Sequence, residues 1–193
     1  MRKKTRQRLF RSLPRRIFLD SSILQTLTTY DKVIYEHDDI PSSSKILQVP
    51  DGLRNIEALR DIFFMDQYLR LELILSTNSF LEVEAKFDPL YLQSVRKIRD
   101  NWHCTALNDF SFLTRTRVSI LNKLEDKQLG YLSIKDMKLI IDAVKFGCDI
   151  FLTMERRLPM NSKPIKKLLG ISVLRPFELL DMWLPYTDFL FIG

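Results

Sequence analysis

The sequence predicts an α/β fold, a short parallel sheet with helices on both faces. Three observations predict it. Four runs, RRIFLD (15–20), LELILS (71–76), DIFLT (149–153) and ISVL (171–174), are short and apolar, without polar alternation. Strands covered on both faces read this way. Segments of helical spacing separate the runs, and strands that alternate with helices form parallel sheets. With 193 residues, 46% of them hydrophobic, the chain can build one sizeable core.

The elements follow in order. Residues 15–20 are a short buried strand that ends in Asp20, and SSILQTLTTY (21–30) is a helix with Ser21 or Ser22 near its cap. Residues 37–52, with two prolines and three serines, read as loop. In 53–69, Leu53, Ile56, Leu59 and Phe63 recur at helical spacing. After the second strand, SFLEVEAKF (79–87) opens another helix, and 88–127 is largely helical with a break around His103 to Thr105. Residues 133–147 are the clearest helix: Ser133 caps it, Gly147 stops it, and Ile134, Met137, Ile141 and Val144 line one face. The fourth strand leads to PFELLDMWL (176–184), with proline at a first helical position. The tail, 186–193, has an apolar tip that reads as a packed strand or as an edge for a partner.

Charge is uneven. Residues 1–16 hold eight Lys or Arg and no acid, which leaves 22 basic against 24 acidic residues, a net −2, on the rest. Residues 1–14 read as a basic arm and 15–193 as a single domain. Such an arm suits a phosphate backbone, or simply solubilises the end. No stretch approaches 18 uninterrupted apolar residues, and the basic start lacks the apolar region of a signal peptide. Cys104 and Cys148 have no paired spacing, so a reduced, cytoplasmic protein without a membrane is expected. His37 and His103 are too few for a zinc cluster.

Ligands of an open parallel sheet bind beyond the carboxyl ends of its strands. Four acids belong there. Asp20 ends the first strand, Glu82 lies six residues past Ser76, and Glu155 lies two past Thr153. Asp136 sits in the first turn of the helix that feeds the third strand. Each has a plainer explanation alone. Asp136 after Ser133 and Glu82 after Ser79 fit capping boxes. Asp20 fits a helix cap and Glu155 a helix dipole. Together, four converging carboxylates repel unless a cation compensates them. Oxygen donors without histidine or cysteine suit Mg²⁺ or Mn²⁺. Such a site activates water and steadies a phosphodiester in transition.

These residues carry a resemblance to the PIN-domain nucleases, which include the toxin subunits of toxin–antitoxin pairs. IFLDSSIL (17–24) is similar to the family's first motif, and LSTNSFLEV (75–83) has its serine and glutamate. DMKLIIDAVKFGCDIFLTMERRL (136–158) keeps the spacing of its third and fourth, and GISVLRPFELL (170–180) its closing strand and helix. The resemblance leaves out the basic arm, 31–52 and much of 88–130. It implies a three-layer α/β/α sandwich with a short central parallel sheet. It implies a metal-dependent endoribonuclease whose catalytic and metal-binding acids are Asp20, Glu82, Asp136 and Glu155. Ser22 and Thr153 support them through hydrogen bonds, and Mg²⁺ or Mn²⁺ is the cofactor. RNA is the substrate, with a homodimer or a small antitoxin-like protein as partner. The fourth motif departs from the family's Thr-x-Asp, since Thr153-Met154-Glu155 carries a carboxylate one methylene longer.

Arg156 and Arg157 are expected to face phosphate, and Arg15 and Arg16 complete the nucleic-acid-binding set. Glu84 is expected to be solvated, Asp142 and Asp149 to be surface or capping residues, and Trp102 with His103 to serve the core or rim. The rival reading is a catalytically weak or inactive PIN-like module that binds RNA or protein, with Glu155 as its symptom.

Overall fold

The computed structural model describes residues 3–84, 92–93, 95–96, 132–160 and 162–189. The expectations for Trp102, His103, Cys104 and most of 88–127 lie outside them. Over the described residues the elements run α1 (Lys3–Arg11), β1 (Arg16–Leu19), α2 (Ser21–Thr29), α3 (Asp31–Tyr35), a 3-10 turn (Lys45–Gln48), α4 (Gly52–Leu69), β2 (Glu72–Ile74) and α5 (Thr77–Glu84). Then come α6 (Ile134–Lys145), β3 (Ile150–Leu152), α7 (Arg157–Met160), α8 (Ser162–Leu169), β4 (Ser172–Leu174), α9 (Pro176–Trp183) and a closing 3-10 segment (Leu184–Phe189).

The four strands form one parallel sheet in the order β2-β1-β3-β4. The register is tight: Phe18 faces Ile74, Leu19 faces Leu152, and Leu152 faces Leu174. Successive side chains of a strand point to opposite faces. Ile17, Leu19, Ile150 and Leu152 therefore enter one cluster with Leu24, Ile56, Ile62 and Trp183, under α2, α4 and α9. Phe18 and Phe151 enter the other with Ile140, Val144 and Ile165, under α6 and α8. Their rings stack at 5.3 Å between centroids. Both faces are thus covered by helices, which is why the strand runs carry no polar alternation.

The chain places β2 on one side of β1 and β3 on the other. The fold reverses between β1 and β3, and ligand crevices of open α/β sheets lie at such a reversal. All carboxyl ends stand at one edge because every pairing is parallel. The ladder runs one step past the strands there: Asp20 N–H donates to the Leu152 carbonyl and Thr153 N–H to that of Leu174, both at 3.0 Å.

Three expectations change. The basic stretch is helical over Lys3–Arg11, and Phe10 and Leu13 pack against the core, so this arm is docked at its end. The loop expected at 37–52 holds the 3-10 turn, preceded by α3. The tail begins as a 3-10 segment, Leu184–Phe189, and its apolar tip, 190–193, lies outside the described residues. No helix among the described residues is long and apolar enough to cross a membrane.

Candidate metal centre

The site starts from Asp20. It follows a strand whose last three residues are buried, and only 5% of its own surface is exposed. It occupies the N-cap position of α2 but makes no side-chain capping bond, so the plain capping explanation fails. Its carboxylate turns instead toward β3. Ser22 Oγ and Thr153 Oγ1 both donate to Oδ2, at 2.5 and 2.6 Å. A hydroxyl has one proton. Both protons are spent on Asp20, so the 3.2 Å contact between Ser22 and Thr153 carries none. The hydroxyl lone pairs are used as well: Met154 N–H donates to Ser22 Oγ at 3.0 Å and Glu155 N–H to Thr153 Oγ1 at 3.1 Å. Two backbone amides thus polarise two hydroxyls onto one carboxylate oxygen.

Burial pushes the Asp20 carboxyl above its ordinary value of 3.8. The hydrogen bonds from Ser22, Thr153 and the Ser21 backbone pull it back, and the charge of Glu82 adds a smaller push upward. That repulsion marks Asp20 and Glu82 as neighbours. Ser21 lies between them. Its hydroxyl donates to Glu82 Oε2 at 2.7 Å and stands 3.4 Å from Asp20 Oδ1.

Glu82 reaches this place through α5. Ser76, just past β2, takes the Ser79 N–H on its hydroxyl at 3.2 Å and so caps the helix. Ser79 lies inside α5, fully buried, with its hydroxyl 3.3 Å from the Leu19 carbonyl. The expected capping box of Ser79 with Glu82 is therefore absent, and the Glu82 carboxylate is turned to Ser21. Asn78 fastens the other side of α5 by donating to Asp142 of α6 at 2.7 Å. Asp142 serves that link, while Asp149 is exposed and Glu84 half-buried.

Asp136 keeps a local role alongside the cavity. Its N–H donates to Ser133 Oγ at 3.1 Å, and that hydroxyl donates back to its Oδ2 at 2.8 Å. Glu155 is exposed, two residues past a fully buried Thr153. All four acids nonetheless line one cavity of about 280 Å³, together with Ser21, Ser22, Gln25, Ser133 and Lys135. Its donors are carboxylates, hydroxyls and an amide, the set hard divalent cations prefer. Among the described residues, however, no three His, Cys, Asp or Glu side chains stand as a ready-made metal-holding group.

No family model, curated protein or solved structure matches this chain.

The arginines divide. Arg156 and Arg157 are exposed beside Glu155. Arg15 and Arg16, expected to join them on nucleic acid, lie at the opposite end of β1, about 13 Å of strand away. Arg15 donates to the Leu69 carbonyl at 3.1 Å. Arg16 donates to the Phe146 carbonyl at 2.6 Å and pairs with Glu72. They anchor the amino edge of the sheet and do not line the cavity. Reading the sequence missed Ser21, Gln25, Ser133 and Lys135 as lining residues. Gln25 had a signal, one turn beyond Ser21 on the same helix. Lys135 had only its adjacency to Asp136.

Proposed function

We propose that this chain is a metal-dependent endoribonuclease with a PIN-like domain over residues 15–193, hydrolysing RNA phosphodiester bonds at the acidic cavity. One observation carries the reading: Asp20, Glu82, Asp136 and Glu155, from four separate stretches of chain, line a single cavity at the carboxyl edge of a parallel sheet. The donor set suits Mg²⁺ or Mn²⁺. Such an ion supplies water activation and charge neutralisation for the transferred phosphoryl group. Ser22 and Thr153 hold Asp20 by Oδ2, favour its ionised form against burial, and leave Oδ1 beside Ser21. Glu82 and Asp136, bonded here to Ser21 and Ser133, would hold the cation together with Asp20 and Glu155. Arg156 and Arg157 meet phosphate on the rim. A second copy, or a small antitoxin-like protein over the cavity, is the partner this reading allows.

The test incubates labelled single-stranded and structured RNAs with the protein in Mn²⁺ or EDTA, beside D20N and D136N. The expected result is cleavage that needs metal and vanishes in both variants while circular dichroism stays unchanged. Wild-type turnover in either variant removes the site assignment. A second reading, an inactive RNA- or protein-binding module, is favoured by the lack of a ready-made group of three acids among the described residues and by glutamate at position 155. It predicts no cleavage and no thermal shift with Mn²⁺.

A further inference from the structure

Among the described residues that line the acidic cavity, Lys135 alone is cationic. Its place lacks the usual structural reasons. It sits in the first turn of α6, where the helix dipole opposes a positive charge. It is exposed, so packing does not hold it. None of the cavity's four carboxylates forms an ion pair with it, and Asp136 beside it takes its proton from Ser133 instead. A lysine kept at the mouth of an acidic cavity, unpaired with those acids, is free for an anion brought in with a ligand.

The geometry points to Lys135 as the residue that binds a backbone phosphate of single-stranded RNA next to the bond being cut. This rests on the nuclease reading above and adds a substrate contact to it. The physical need is plain. Four carboxylates repel a polyanion, and a flexible ammonium beside them gives one phosphate a local counter-charge. The size agrees: about 280 Å³ lies just below the range of small-molecule pockets, room for part of one strand. Lys135 stands on α6 within the lining, and the exposed Arg156 follows the lining Glu155 in sequence, so a second cation lies next to a residue of the cavity.

The experiment measures binding of a labelled 12-nucleotide RNA in Ca²⁺ over a salt series, and cleavage in Mn²⁺, for wild type, K135A and K135R. K135A is expected to weaken binding and raise KM roughly three- to tenfold with kcat little changed. It should also flatten the plot of log affinity against log salt by about 0.7, the loss of one single-strand phosphate contact. K135R should recover most of both. The Mn²⁺-induced rise in Tm should be the same in all three. An unchanged salt slope in K135A overturns the assignment. So does a larger Mn²⁺ shift in K135A, which would make Lys135 a counter-ion of the acids. If the wild type binds RNA but cuts none, the nuclease reading fails while the slope still decides Lys135. If it binds none, both fail.

Discussion

Asp20 concentrates the conflict between burial and charge in one side chain. Burial raises its pKa, and its folded value lies above the unfolded one. Below pH 3.8 both states are protonated and the shift costs nothing. As pH rises from there to the raised value, the unfolded chain ionises first and the folded state loses stability. Above the raised value the loss is complete and constant. D20N should therefore raise Tm at neutral pH in EDTA, by roughly 2–4 °C for each kcal/mol relieved. The gain should shrink to nothing as pH falls toward 4. The asparagine oxygen still accepts from Ser22 and Thr153, whereas D20A leaves both hydroxyls without their acceptor and should lower Tm. Melting curves of the three proteins from pH 4 to 8 decide it, and a gain that grows on acidification would be the wrong sign.

At the scale of elements, the turn before α4 shows how little room the fold leaves. Gly52 starts the helix, with its N–H bonded to the Val49 carbonyl at 2.8 Å. A Cβ at this position would stand 2.2 Å from the Ile46 carbonyl oxygen. That neighbour is backbone and cannot rotate away. G52A should cost about 1–3 kcal/mol, read as a lower urea midpoint with an unchanged slope. The sequence had marked this place only as loop. The reason is length: α3 spans five residues and the 3-10 turn four, too short for a period to show against single apolar residues. The long helix α4 and the strands were legible because their patterns run long enough, or stay apolar enough, to admit one interpretation. The docked basic helix was hidden for another reason. The six cations of residues 1–14 outweigh Phe10 and Leu13 in any reading of composition, yet those two residues fix its end. At the site, all four lining acids were legible from strand ends and spacing. Two of the serines that hold them were legible as well, Ser22 for Asp20 and Ser133 for Asp136. The third was not: Ser21 serving Glu82 is a contact across 61 positions, set by the packing of α5 against α2.

For the whole molecule, the question is what the topology does with charge. A parallel sheet must return each strand through a crossover, so loops from distant stretches collect at one edge. Here that edge gathers Asp20, Glu82, Asp136 and Glu155 while the amino edge takes Arg15 and Arg16. Collecting the acids opposes folding unless a cation joins them, so the proposed metal binding would be linked to stability. A ligand that binds only the folded state at a hundred times its Kd adds about 2.7 kcal/mol. In a chain of this size that is a rise of roughly 5–11 °C in Tm. Mn²⁺ should produce it in the wild type, and E82Q and D136N should each lose most of it although they lie on different helices. D61N, which removes an exposed acid 3.8 Å from Arg60, should keep the full shift. The comparison separates a specific centre from general screening of negative charge. If all four proteins shift alike, the ion is acting on the surface at large, and the four carboxylates are neighbours by topology alone.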